Sequence, residues 1–106
     1  MSDVYTERDW RLFRERIAGW QEAYMERLVG EYVAILTSDD NASDRFWALE
    51  RRVCSDRNAA GVIVEMKRSR LTSNLAQLLR EGAITEDDLD GFSDGIRQTL
   101  SYLRDL

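Results

Sequence analysis

Apolar side chains recur every three or four residues along the first third of the chain. They are Trp10, Phe13, Ile17, Trp20, Tyr24, Leu28, Tyr32 and Ile35. Because this spacing places side chains on one face of a helix, the pattern predicts an α-helix of about thirty residues. Thr6 and Asp9 have the spacing of a capping box at its start, and Tyr5 and Trp10 that of a hydrophobic staple.

Gly19 and Gly30 each weaken the first helix by ~1 kcal/mol relative to alanine, so we expect a bend near one of them.

Three further segments of the chain also have patterns typical of helices. The polar loop TSDDNAS ends the first helix, and the second begins near Ser43 as N-cap. The second helix presents Phe46, Leu49 and Val53 on its main face, with Trp47 and Cys54 beside it.

The third helix is predicted from about Ala60 to Glu81, and Gly82 ends it. The fourth runs from Glu86 to about Arg104. Its apolar stripe is Leu89, Phe92, Ile96, Leu100 and Leu103. Short loops favour an antiparallel arrangement of successive helices. The sequence therefore predicts that residues 1–106 form a single all-α domain, a mostly antiparallel four-helix bundle with a long N-terminal helix.

The predicted third helix has two seams. One is a core face that contains Arg68 among leucines. The other lies nearly opposite and consists mostly of small residues, namely Val62, Met66, Ser69, Ser73 and Ala76. Small residues allow two helices to approach closely, so this seam either receives the first helix or forms an interface with a partner helix or a second copy.

Arg68 draws attention because a guanidinium among leucines needs a polar partner. It either reaches the rim of the core and pairs with an acid, such as Glu65 or one from another helix, or lines a cleft that binds an anion. In the second case Lys67 and Arg70, its neighbours in EMKRSR, would add to the same basic spot.

The acidic stretch TEDDLDGFSDGIR resembles a calcium loop only in part. Glu86, Asp88 and Asp90 fall at loop positions 1, 3 and 5, and Gly91 at position 6. Arg97 then occupies position 12, where a bidentate glutamate is required. The residues fit a helix start better, with Thr85 as N-cap, and no metal ion or other cofactor is predicted.

Composition narrows the candidate chemistry. The chain has no histidine and one cysteine, which removes the usual catalytic triads and most zinc sites, so an enzyme is not expected and no catalytic residue is assigned. Residues 45–80 hold eight cations against three acids, within a chain of net charge −5. This basic segment suggests an anion-binding or nucleic-acid-binding surface, which the overall negative charge opposes.

The cellular location is predicted from the absence of a membrane-spanning segment, a signal peptide and disulfides in the sequence. No apolar run approaches the ~20 residues that span a bilayer, and MSDVYTERDW has no apolar segment typical of a signal peptide. With one cysteine and no internal disulfide, a reducing cytoplasmic location is the expectation.

Nearly the whole chain resembles a group of small bacterial all-helical proteins of unassigned function. The resemblance rests on the D-W-x-L-F start, the W-Q-E-A-Y-M run, the F-W-x-L-E segment and V-I-x-E-M-x-R-S. Automated annotation sometimes labels such proteins multidrug transporters, a label that conflicts with the absence of any membrane-spanning segment. The resemblance implies a free-standing bacterial protein and brings no catalytic motif.

Three classes of function remain from these observations. The first is a small cytoplasmic interaction or regulatory module that acts through helix surfaces on a protein partner or as a homodimer. The second is a nucleic-acid-binding protein that uses the basic segment 45–80, and the third is an enzyme or small-ligand binder with Arg68 in a cleft. The two-seamed third helix, the aromatic-rich first helix and the missing catalytic groups favour the interaction module.

Overall fold

The computed structural model describes residues 4–106, and every regular element in that range is helical. The α-helices are α1 at Glu7–Leu36, α2 at Ala42–Asp56, α3 at Leu71–Arg80 and α4 at Asp94–Arg104, with 3-10 turns at Arg68–Arg70 and Glu86–Leu89. The prediction of an all-α fold with a long N-terminal helix is confirmed. No helix in this range is long and apolar enough to cross a lipid bilayer.

Helix α1 begins at the predicted capping box. The backbone N–H of Thr6 donates to Asp9 Oδ2 at 2.8 Å, and the N–H of Asp9 donates to Thr6 Oγ1 at 3.1 Å. These bonds satisfy two of the N–H groups that a helix start leaves without intrahelical partners. The helix then runs through Gly19 and Gly30 to Leu36 without interruption.

Replacing Gly30 by alanine is expected to stabilise the protein by roughly 0.5–1 kcal/mol, because alanine favours a helix interior and nothing lies within 4 Å of the added Cβ. Gly82 is the matched control, since its site is equally open but its φ is +74°. Gly82→Ala should lower stability by roughly 1 kcal/mol. Urea unfolding of both variants measures this, and two changes of the same sign would contradict the prediction.

The hydrophobic core lies between the first half of α1 and helices α3 and α4. Its fully buried apolar side chains are Phe13, Leu71, Leu75, Leu78 and Ile96. Aromatic rings extend this core along α1, where Trp10 and Phe13 stack with centroids 6.1 Å apart. The core therefore draws on only part of α1 and on none of α2.

The second half of α1 continues beyond this core and pairs with α2 as a helical hairpin, which a short loop at residues 37–41 closes. Helix α2 contributes no buried residue. The molecule is elongated, 55 × 28 × 23 Å, and α1 accounts for most of the long dimension because thirty residues at ~1.5 Å each span about 45 Å.

The predicted start of the third helix near Ala60 is wrong. Residues 57–67 form turns and an extended segment, and α3 begins only at Leu71 after a single 3-10 turn. The predicted end is nearly correct, since α3 finishes at Arg80 and Gly82 follows with a φ of +74°.

Side chains of α3 and of its C-cap residue, Glu81, bind this non-helical segment. The Glu81 carboxylate accepts hydrogen bonds from the backbone N–H groups of Ala60 at 3.0 Å and Gly61 at 3.1 Å. The buried Asn74 amide donates to the carbonyl oxygen of Glu65 at 2.9 Å. Because these bonds satisfy backbone groups that a helix would pair internally, the segment needs no helical structure.

The fourth helix is shorter than predicted because the chain turns at Gly91, whose φ is +91°. Thr85 and Asp88 do form a capping box, with the N–H of Thr85 donating to Asp88 Oδ2 at 2.8 Å. That box starts a 3-10 turn rather than an α-helix. Helix α4 begins at Asp94, after the N-cap Ser93.

The N-cap of α2 also differs from the expectation. Asn41, rather than Ser43, caps the helix, with its Oδ1 accepting from the N–H of Asp44 at 2.9 Å. The Ser43 hydroxyl donates to the same Asn41 oxygen at 3.1 Å and so supports the cap instead of forming it.

Candidate protein-interaction surface

Polar side chains join the two helices of the hairpin. Arg52 donates to Glu31 at 2.8 Å, and the Tyr32 hydroxyl donates to Asp56 at 2.7 Å. Burial raises the pKa of Tyr32 to about 12, and the hydrogen bond to the Asp56 carboxylate acts in the same direction, so the phenol stays protonated at neutral pH. These two contacts form a polar line along the interface between the helices.

Large apolar side chains of the hairpin are exposed. Phe46 is 61% exposed, Val29 53%, Val33 52%, and Leu36 and Val53 42% each. We call these five residues the hairpin face. Soluble monomers rarely expose a continuous apolar patch of this kind without a function for it.

Helix geometry places the five residues on one side of the hairpin. On α1, Leu36 and Val29 are turned by roughly 90–110° from the mean direction of Glu31 and Tyr32, and Val33 by roughly 150°, at ~100° per residue. On α2, Phe46 and Val53 are turned by roughly a quarter of a turn in the same sense. In two antiparallel helices, side chains turned in the same sense away from the shared interface point to the same side of the helix pair. The hairpin face is therefore continuous.

Trp47 extends this surface around the outer edge of α2. It is 55% exposed, and its ring packs edge-on against Phe46 with centroids 5.0 Å apart. Exposed aromatic residues of this size are enriched at protein interfaces, where they bury a large area with little loss of conformational entropy.

The predicted seam of small residues does not exist as a helix face. Val62 and Met66 lie in the non-helical segment, Ser69 lies in the 3-10 turn, and only Ser73 and Ala76 are on α3. The prediction is wrong because the helix that it assumed begins after the first three of these residues.

Arg68 is not among leucines but on the surface. Its guanidinium pairs with Glu7 at 3.1 Å and lies 5.4 Å from the ring centroid of Trp10. The hydrogen bond that Arg68 donates to the Glu7 carboxylate raises the pKa of Arg68 above its usual value. The core position expected for Arg68 is wrong, and the alternative of an ion pair with an acid from another helix holds.

Lys67 and Arg70 are also exposed, and both pair with Glu65, at 2.8 Å and 3.5 Å. The hydrogen bond from Lys67 lowers the pKa of the Glu65 carboxyl, and the nearby charges of Lys67 and Arg70 contribute in the same direction. The structure thus brings the three predicted cations near one another but supplies them with carboxylates of the chain itself. An exogenous anion would have to compete with Glu7 and Glu65 for them.

Arg45, another cation of the basic segment 45–80, is engaged as well. Arg45 donates to the carbonyl oxygens of Leu36 at 2.8 Å and Asp40 at 3.0 Å, which ties α2 to the hairpin loop. Such contacts satisfy the guanidinium locally and do not build the continuous basic stripe that nucleic-acid-binding domains present.

The described residues carry little else of a reactive kind. Within residues 4–106, no group of three or more cysteine, aspartate and glutamate side chains converges as a metal site would require. Cys54 is exposed and donates to Glu50 at 3.1 Å, and this hydrogen bond raises the pKa of the thiol. A protonated thiol is a poor nucleophile.

Val29, Val33 and Leu36 were missed as candidate site residues, although the sequence holds a signal for them. They repeat at spacings of four and three, which is a second apolar stripe beside the main stripe of α1. A helix with two apolar stripes must bury both, and α2 covers only the first.

Comparison of the chain with protein-family models, with curated proteins and with solved structures finds no match in any of the three.

Proposed function

We propose that this protein is a small helical interaction module that forms a reversible homodimer through the hairpin face. Two hairpins packed face to face form an intermolecular four-helix bundle, the usual way in which helix pairs bury a shared apolar surface. The observation that carries the proposal is that α2 buries no residue within the described chain, while Phe46 and Trp47 are more than half exposed.

The stability of α2 supports a partner on this face. An isolated helix shorter than ~12–15 residues is marginal in water, and most helical stability in proteins comes from packing of an apolar face. Helix α2 has 15 residues, and none of them is buried in the monomer. Packing of Phe46 and Val53 against a second copy supplies the missing apolar burial.

The area of the hairpin face indicates a reversible dimer. Two helices side by side, each about 22 Å long and ~10 Å wide, present about 400 Å² per copy. Stable interfaces bury ~800 Å² of accessible surface per partner, and weaker ones bury less. We therefore expect dissociation in the micromolar range, so that the cellular concentration of the chain sets the dimer population.

Charges at the rim fit a twofold axis parallel to the hairpin. In that arrangement α1 of one copy lies antiparallel to α2 of the other. Glu22 and Glu26, on the outer edge of α1, then come close to Arg57 at the end of α2 in the second copy. None of these three side chains forms an ion pair within residues 4–106, so all three are available for contacts between copies.

A cytoplasmic location belongs to the same proposal. Cys54 is exposed and carries a free thiol on α2, and exposed thiols persist in reducing compartments. A location in the cytoplasm keeps this thiol from linking two copies covalently and leaves their association reversible.

Sedimentation equilibrium over a wide range of concentrations tests the proposal. The wild-type mass should rise from 12.3 kDa towards twice that value, and Phe46→Glu should stay monomeric because a charge buried in an apolar interface costs several kcal/mol. Helix content by circular dichroism should be retained, since the Phe46 side chain is mostly outside the monomer's own packing.

Tyr102→Glu is the matched control, because Tyr102 is 66% exposed but lies on α4, away from the hairpin. It should dimerise like the wild type. Arg57→Glu should weaken association, and Glu26→Arg in the same chain should restore it in part. A wild-type protein that stays monomeric up to high micromolar concentrations would contradict the proposal.

A further inference from the structure

A cleft of about 370 Å³ lies on the other part of the molecule, between α3, the 3-10 turn at Glu86–Leu89 and α4. Its floor is apolar and consists of Ala76, Leu79, Ile84, Leu89, Leu100 and Leu103. Ile84, Leu89 and Leu100 are buried, with exposures of 2–4%, and belong to the hydrophobic core. The volume is within the range of ~300–1,000 Å³ that small-molecule sites occupy.

Arginines line the rim of this cleft. Arg80 from α3 and Arg97 and Arg104 from α4 contribute to the lining, against a single acid, Glu86. The lining therefore has a formal charge of +2, in a chain whose net charge is −5. Such a local reversal of charge concentrates small anions at the cleft.

The arginines differ in how much of their hydrogen-bonding capacity is used. Arg104 pairs with Glu86 across the rim and also with Asp105 at 3.4 Å. Arg80 donates to the neutral Gln77 at 3.0 Å, and neither Arg80 nor Arg97 forms an ion pair within the described residues. Two guanidinium groups thus remain available to an incoming anion, one from each helix.

We propose that this cleft binds a small carboxylate with an aliphatic body, such as a medium-chain fatty acid. The two requirements come from different parts of the site. Arginine recognises a carboxylate through two parallel N–H···O bonds, for which Arg97 and Arg80 are available. Binding to the leucine floor is favourable when an apolar part of the ligand displaces water from it.

Size restricts the ligand further. At ~30 Å³ per water-sized group, the cleft holds about a dozen non-hydrogen atoms. A carboxylate with a chain of eight to ten carbons fills that space, whereas the long chains of membrane lipids exceed it. Inorganic anions can pair with the arginines, but they leave the apolar floor of the cleft hydrated.

Nuclear magnetic resonance titration with three probes tests both requirements. Octanoate has the charge and the chain, 1-octanol has the chain alone, and acetate has the charge alone. We expect octanoate to bind saturably, with the largest shifts at residues that line the cleft. We expect 1-octanol to bind at least tenfold more weakly and acetate to produce no saturable shift.

Two variants separate the roles of the rim and the floor. Arg97→Gln should weaken octanoate about tenfold, which corresponds to ~1.4 kcal/mol, and should leave 1-octanol unchanged. Ala76→Phe fills part of the cleft and should weaken both probes. Arg51→Gln, which removes an exposed arginine of α2 outside the cleft, is the control and should bind octanoate like the wild type.

Equal affinity for octanoate and 1-octanol would overturn the proposal, because the arginines would then play no part. So would shifts at the hairpin face instead of the cleft, or an Arg97→Gln protein that binds octanoate as well as the wild type. These outcomes are independent of the oligomeric state, since the cleft and the hairpin face share no residue.

Discussion

Replacing Asp9 by alanine is expected to lower the free energy of unfolding by about 3 kcal/mol. The Asp9 side chain is 1% exposed, and its oxygens accept hydrogen bonds from the N–H of Ser93 at 2.7 Å, the Ser93 hydroxyl at 2.6 Å and the N–H of Thr6 at 2.8 Å. One carboxylate thus links the start of α1 to the N-cap of α4, 84 residues apart. Urea unfolding followed by circular dichroism measures the loss.

Asp88 is the matched control. It also occupies the third position of a capping box, where it accepts from the N–H of Thr85 at 2.8 Å, but its side-chain bonds stay within that turn. Asp88→Ala should therefore cost about 1 kcal/mol. If Asp9→Ala costs no more than Asp88→Ala, the link to Ser93 contributes nothing and the interpretation of Asp9 is wrong.

The contribution of Asp9 should also depend on pH. Burial raises the pKa of Asp9, but the hydrogen bonds from Ser93 and Thr6 outweigh it and leave the pKa below its ordinary value. A carboxylate with a lowered folded-state pKa stabilises the protein above the unfolded-state pKa, about 3.9, and loses this effect as pH falls through the folded-state value. The stability difference between wild type and Asp9→Asn should thus be constant near neutral pH and shrink below about pH 4.

Asp9 also illustrates how much the sequence could predict. Its place in a capping box with Thr6 follows from local spacing, as does that of Asp88 with Thr85, and both are present in the structure. The bond to Ser93 does not follow, because a contact between residues so far apart in the chain depends on how the helices pack. Local rules therefore predicted both capping boxes but not the tertiary role of one of them.

The boundaries of the third and fourth helices failed for a related reason. Residues 60–70 have apolar side chains at spacings that a helix tolerates, yet the chain there is held by Glu81 and Asn74. The sequence-based prediction followed the apolar stripe from Leu89 onward, whereas in the structure the chain turns at Gly91 and Ser93 caps α4. Periodicity alone cannot distinguish a continuous helix from two helical pieces joined by a turn.

The exposure of the hairpin face could not be predicted from the sequence, because it depends on how the whole chain folds. Phe46 and Val53 were assigned to the main apolar face of the second helix, but in the structure they are 61% and 42% exposed. Which face of a helix pair meets a core is decided by the whole fold, and here α2 packs mainly against α1. The expectation of an interaction surface thus stays a proposal, but it rests on the hairpin face rather than on the predicted seam of small residues.

Gly61→Ala is expected to destabilise the protein by roughly 2–3 kcal/mol because the added methyl group overpacks a site with no room for it. A Cβ on Gly61 would lie 2.8 Å from Cε2 of the Tyr24 ring and closer still to Cγ and Cδ2. The φ of Gly61 is not positive, so the cause is space and not backbone conformation. Urea unfolding at a single protein concentration measures the effect.

Neither side of this contact can move freely. The N–H of Gly61 and that of Ala60 are both bound by the Glu81 carboxylate, and the carbonyl of Ala60 accepts from Gln21 at 3.1 Å. On the other side, the Arg27 guanidinium lies 4.9 Å from the centroid of the Tyr24 ring. Removing the ring should therefore relieve the strain, so that Gly61→Ala costs little in a Tyr24→Ala background. An equal cost in both backgrounds would show that the Tyr24 contact is not the reason for glycine at this position.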